Sequence, residues 1–122
     1  MYIQDFTPSV VEEMLRYIYT GNAPNIVETA DQLLIAAEKY QLDDLKNLCE
    51  QELSNNIKIE NAIDRFIQGD MYQAQGLKEA CLSFLVRNWS AVSKTKDWED
   101  KMRSKPDLLT EVLKKLAWVF MF

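Results

Sequence analysis

Catalysis needs particular side chains, and this chain has few of them. Histidine is absent from all 122 residues. That removes the usual general base, the usual activator of a serine or cysteine nucleophile, and the commonest zinc ligand. Two cysteines, Cys49 and Cys81, are too few for a structural zinc site, and three glycines leave no phosphate-cradling loop. The carboxylates are numerous but scattered, and no spacing places two of them as a perturbed pair in a cleft. No catalytic, cofactor-binding or metal-ligating residue is therefore expected, and the chain reads as a binding protein rather than an enzyme. Tyr17 and Tyr19 fall at a helix end on or beside its apolar stripe, and their periodicity alone suits packing at the edge of a core.

Composition narrows the partners. Fourteen basic residues face nineteen acidic ones, a formal net charge of −5, and the basic residues are scattered rather than striped. Because phosphate neutralisation supplies most nucleic-acid affinity, no nucleic acid is expected as a partner. The longest apolar run, Ala117-Trp-Val-Phe-Met-Phe122, is far short of the roughly 20 residues of a membrane span. No signal-peptide pattern opens the chain, so an intracellular address, nuclear or cytoplasmic, is expected. With 48% apolar and 27% charged residues over the length of one domain, the chain can bury an ordinary core. Cys49 and Cys81 both fall on apolar helix faces and read as buried thiols in a reducing compartment.

The elements are organised around an internal repeat. Residues 30–53 shifted by 32 positions onto 62–85 give eight identities: Ala30/Ala62, Ile35/Ile67, Tyr40/Tyr72, Gln41/Gln73, Leu45/Leu77, Lys46/Lys78, Cys49/Cys81 and Leu53/Leu85. Each copy reads as a helix, a tight corner at Tyr-Gln, and a second helix. In the second copy Ile59, Ala62, Ile63, Phe66 and Ile67, then Leu77, Ala80, Cys81, Phe84 and Leu85, mark one apolar face of each helix. Neither hairpin can bury that face alone, so stacking of the copies is expected. A tetratricopeptide or ankyrin array needs a third unit and signatures absent here.

Outside the repeat, Tyr2-Ile-Gln-Asp-Phe6 alternates as a short strand would, without a partner strand. Thr7 is expected to cap a helix that has Pro8 at its first position, buries Val10, Val11, Met14, Leu15 and Ile18, and stops at Thr20-Gly21. Asn25 with Glu28, and then Asp43, are the expected caps of the first repeat's helices. A break at Ser54-Asn-Asn56 divides the chain into residues 1–56 and 57–122. A short helix is expected around Trp98 and Met102. The last helix carries the most regular stripe, Leu108, Leu109, Val112, Leu113, Leu116, Ala117 and Phe120, which either packs back onto the repeat or forms a partner surface.

Residues 11–25 (Val-Glu-Glu-Met-Leu-Arg-Tyr-Ile-Tyr-Thr-Gly-Asn-Ala-Pro-Asn), Ala30 to Tyr40 and Leu45 to Glu50 closely resemble the carboxyl half of a BTB/POZ domain. The likeness is greatest to the speckle-type POZ protein group of MATH-BTB adaptors. It continues through Ile59-Glu-Asn-Ala62, Leu77-Lys78, Trp98 and Pro106-Asp-Leu-Leu109. The resemblance implies a mostly all-α fold with at most one short N-terminal strand: the carboxyl part of a BTB/POZ domain over 1–56, then 3-box and shortened BACK helices over 57–122. In the family the BTB domain begins well upstream of Met1 and a MATH substrate-binding domain precedes it, so a fragment or truncated relative is expected. The family's basic nuclear-localisation tail has no counterpart here.

The function the resemblance implies is that of an adaptor which docks a cullin scaffold so that bound substrates are ubiquitinated. Ile18-Tyr-Thr-Gly21 matches the segment whose tyrosine lies at the cullin surface, so Tyr19 is the implied contact. Ile59, Ile63 and Phe66 are implied in the 3-box wall of the groove. A second, homodimeric interface on the BACK helices is implied at Leu109, Leu113, Leu116 and Phe120. The alternative reading is a BTB-type transcriptional co-repressor module.

Overall fold

The computed structural model describes residues 6–121. These form eight helices in two compact units that divide after Asn56. The expected strand over Tyr2–Phe6 lies outside the described residues, Phe6 excepted.

In the first unit, α1 (Pro8–Thr20) packs on α2 (Ile26–Lys39), and α2 pairs with α3 (Asp43–Asn55). Thr7 is the N-cap, but through its backbone: its carbonyl accepts from the N–H groups of Val10 and Val11, both at 3.1 Å, and its hydroxyl makes no cap bond. At the other end Gly21 takes φ +76°, a left-handed conformation open to glycine without a Cβ clash, and donates its N–H to the Tyr17 carbonyl at 2.7 Å. Thr20 secures the same turn: its hydroxyl donates to the Arg16 carbonyl at 2.7 Å and accepts from the Asn22 N–H at 3.1 Å.

The buried face of α1 is narrower than the sequence stripe. Val10 and Met14 are buried, but Leu15 and Ile18 are exposed and Glu13 is buried in their place. At 3.6 residues per turn, Leu15 and Ile18 fall roughly a quarter turn or more to one side of the row through Val10, Met14 and Tyr17. Two expected caps are also corrected. The Asn25 side chain makes no cap bond, and the helix expected to start behind Asp43 has Leu42 as its N-cap. Asp43 and Asp44 stand in the first turn instead, where negative charge is favoured by the helix dipole.

The two hairpin corners are alike in backbone as well as in sequence. Gln41 and Gln73 both have φ +56°. At the first corner the Gln41 N–H bonds to Glu38 and the Leu42 N–H to Ala37; at the second, the Gln73 N–H bonds to Asp70 and the Ala74 N–H to Gly69. This is the paired-bond Schellman closure, made twice with glutamine where glycine is usual. An ion pair spans each corner at matching positions, Lys46 to Glu38 at 2.6 Å and Lys78 to Asp70 at 2.9 Å.

The second unit holds α4 (Ala62–Met71), α5 (Gln75–Arg87), the short α6 (Trp89–Val92), α7 (Lys96–Met102) and α8 (Pro106–Met121). Its hairpin α4–α5 is covered within the unit by α7 on α4 and α8 on α5. Ile59, expected on the face of α4, precedes that helix. Gly69 lets the two helices meet backbone to backbone: a Cβ there would lie 2.9 Å from the Lys78 nitrogen. Between α5 and α7 the chain forms the single-turn α6, which begins at Trp89. It is followed by a true side-chain cap, in which Thr95 Oγ1 accepts from the Trp98 N–H at 3.3 Å. Trp89 and Trp98 meet edge to face with ring centres 4.7 Å apart, the favourable arrangement for two ring quadrupoles.

A left-handed conformation costs a residue with a Cβ about 1 kcal/mol or more. Replacing Gln41 or Gln73 by glycine is expected to stabilise the protein by up to about 1 kcal/mol each, less whatever the added chain entropy of glycine removes. Chemical denaturation of the two single variants checks it.

Candidate functional site

Tyr19 sits in the last turn of α1 and is 84% exposed. The Gly21 turn and the Thr20 hydroxyl described above hold the backbone on its carboxyl side, so its ring is presented from a closed helix end. Leu15 and Ile18 are exposed on the same helix, giving Tyr19 apolar neighbours along α1. Large exposed apolar groups in a row mark a surface suited to a partner.

The implied groove residues of the second unit are placed differently. Ile59 is half-buried, while Ile63 and Phe66 are buried. Buried side chains have no surface to offer, so Ile63 and Phe66 are corrected from contact residues to packing residues of α4. Only Ile59 retains accessible area.

On α8 the seven-residue stripe splits in two. Leu108, Val112 and Leu116, at i, i+4 and i+8, are buried, whereas Leu113 is 51% and Phe120 73% exposed, and Leu109 lies half-buried between. Leu116 is thus corrected from surface to core, and the outward set is Leu113 and Phe120 together with Trp118 and Val119. Away from Leu113 and Phe120, on the side of α8 that carries Glu111, Lys114 and Trp118, α5 and α8 flank a cleft of about 470 Å³. Along it Lys78 bridges Asp70 and, at 3.1 Å, Glu111 of α8. Hydrogen bonding to Asp70 is the main cause that pushes the Lys78 pKa up, with burial opposing it. The repeated Lys46/Lys78 identity was the sequence signal for these ion pairs; the Glu111 arm had none.

Glu13 is the residue that sequence reasoning missed. It is 1% exposed, and both carboxylate oxygens are used. Oε1 accepts from Arg16 Nη1 at 3.3 Å, and Oε2 accepts from the backbone N–H of Asn25. Its position three residues after Val10, on the buried row of α1, was the available signal.

The thiols have no nucleophilic prospect. Cys49 and Cys81 are free and buried, and burial pushes each from an ordinary 9.0 up to about 12. Among the described residues no three Cys, Asp or Glu side chains converge to hold a metal ion, and no helix is long and apolar enough to cross a membrane.

The BTB/POZ domain pattern matches residues 1–57 and the BPM/SPOP BACK domain pattern matches residues 68–113. The chain belongs to the BTB/POZ family, with a BACK region of the BPM/SPOP kind following. It is similar to protein maternal effect lethal 26 of Caenorhabditis elegans, at 39% identity over 117 residues. That alignment takes in 95% of this chain and 30% of the relative's length.

Both thiols should resist alkylation in the native protein and react at once on denaturation, which mass spectrometry reads directly. The raised native values also set a pH dependence. Their contribution to stability is complete below pH 9 and is lost as pH climbs toward 12, because the unfolded chain releases these protons first. The unfolding free energy should decline above pH 9, and less steeply when both cysteines are alanine.

Proposed function

We propose that this chain is the docking portion of a substrate adaptor for a cullin-RING ubiquitin ligase, binding the cullin through a face centred on Tyr19. The observation that carries the reading is the 84% exposure of Tyr19 within Ile18-Tyr-Thr-Gly21, on a helix end closed by Gly21 and Thr20. An aromatic ring with a hydroxyl, surrounded by apolar area, is the residue type that dominates binding energy at interfaces. Ile59 is the accessible member of the implied 3-box wall, with Ile63 and Phe66 as packing beneath it. On this reading the chain does no chemistry of its own, and selection of the substrate belongs to a part of the adaptor other than these helices.

Self-association through α8 belongs to the same proposal. Leu113 and Phe120 face outward, Leu109 flanks them and Leu116 anchors the helix from below. One helix face presented by each of two copies forms a two-fold, self-complementary patch.

Calorimetry with a cullin amino-terminal domain tests the first part. Tyr19→Val should weaken binding by about thirtyfold, the equivalent of about 2 kcal/mol, with helicity unchanged; equal affinity for the two chains would reduce the tyrosine to packing. Light scattering tests the second. Leu113→Glu should turn a dimer into a folded monomer, and an unmodified chain already monomeric at tens of micromolar would remove the dimer.

A further inference from the structure

Glu13 is a buried carboxylate that takes one bond from Arg16 on its own helix and one from the Asn25 N–H beyond the turn that follows Tyr19. We infer that Glu13 is a positioning residue: its bond to the Asn25 N–H closes residues 13–25 into a clasp that keeps the Tyr19 end of α1 fixed for docking. The inference deepens the cullin-docking reading and rests on it.

The clasp is anchored on both sides of Asn25. Glu13 Oε2 accepts the Asn25 N–H, while the Asn25 carbonyl accepts from the Thr29 hydroxyl at 2.9 Å and from the Glu28 N–H at 3.2 Å. Thr29 is itself buried, so the Asn25 peptide is held between one side chain of α1 and one of α2. Arg16, one turn on from Glu13, supplies the opposite charge at 3.3 Å. This neutralises a carboxylate that would otherwise be costly to bury.

Everything between the anchors depends on them. Tyr19 is the next-to-last residue of α1, and helix ends open more readily than helix centres. Its own side chain, 84% exposed, meets little that would hold the last turn in place. Unwinding that turn breaks the Gly21–Tyr17 and Thr20–Arg16 bonds, and the buried charge-assisted bond at Asn25 limits how far the loop between its two ends can then swing. An aromatic contact fixed before docking loses less freedom on docking than one on a fraying end.

Two variants separate the clasp from folding. Glu13→Leu removes the acceptor and leaves the Asn25 N–H without one, while Arg16, whose side chain is 43% exposed, can turn to water. A folded state is confirmed first by helicity, and Glu13→Gln carries the test if it is lost. Glu13→Gln keeps an oxygen acceptor for the Asn25 N–H. Amide hydrogen exchange on the whole chain should show Asn25 and Gly21 exchanging faster in Glu13→Leu, with the core amides of α2 unchanged and Glu13→Gln close to the parent. In calorimetry with the cullin amino-terminal domain, Glu13→Leu should bind about tenfold more weakly, the scale of re-ordering one or two side chains, and Glu13→Gln should recover most of that loss. Uniformly faster exchange in Glu13→Leu would make Glu13 an ordinary stabilising residue and overturn the inference. So would unchanged affinity of Glu13→Leu beside a weakened Tyr19→Val. If Tyr19→Val binds as well as the parent, the docking reading itself fails and the clasp has nothing to position.

Discussion

A 14-residue helix has to end, reverse and hand over to a 13-residue partner with almost no chain to spare, and the rest of the hairpin depends on how that is done. The solution is one left-handed residue. With Gln41 at φ +56°, the N–H groups of Gln41 and Leu42 turn back to the carbonyls of Glu38 and Ala37, satisfying acceptors that the helix end leaves open. Gln73 does the same 32 residues later. A corner this tight fixes the register of the second helix on the first, and the register decides which side chains meet.

From that register the seam follows. Leu45, Cys49 and Leu53 on α3, and Leu77, Cys81 and Leu85 on α5, each step by four residues and are all buried. The corner also brings an acid at the end of one helix to a lysine in the first turn of the next, as Glu38 to Lys46 and Asp70 to Lys78. Both lysines are mostly covered, so their ion pairs are better shielded from water than the exposed pair between Arg103 and Glu99. Gly69 then allows α4 and α5 to approach more closely than a side chain there would permit.

Legibility in the sequence followed the same physics. The repeat, its Tyr-Gln corners, the extent of α1 and the α7 helix before Ser104 could be read because periodicity and turn chemistry are local. The buried face of α1 could not. A stripe reports which residues are apolar, whereas burial depends on how wide a sector the neighbouring helix covers, and here it excludes Leu15 and Ile18 and takes in Glu13. The same limit applies to Ile63, Phe66 and Leu116, which the resemblance named as contact residues and which are buried, because only packing decides which side of each helix is open. Caps were partly legible: Asn25 does stand at the N-cap of α2 but makes no side-chain cap bond, and α3 has Leu42 at its N-cap, one residue before Asp43.

The division between repeated and unrepeated residues points to where function lies. The eight positions shared by the two copies are occupied by structure: Ala30/Ala62, Leu45/Leu77, Cys49/Cys81 and Leu53/Leu85 are buried, Ile35/Ile67 and Tyr40/Tyr72 are half-buried, Lys46/Lys78 are in corner ion pairs and Gln41/Gln73 make the corners themselves. A docking surface could not easily be built from them without loosening a hairpin. Tyr19, Leu113 and Phe120 lie outside the repeat, on helices that cover the hairpins, and each is more than half exposed. Covering helices need only one face to complete a core, so their other face is free to vary in chemistry at little cost to folding. The hairpins therefore serve as the frame, and α1 and α8 are the helices whose exposed faces leave room for the proposed docking and self-association.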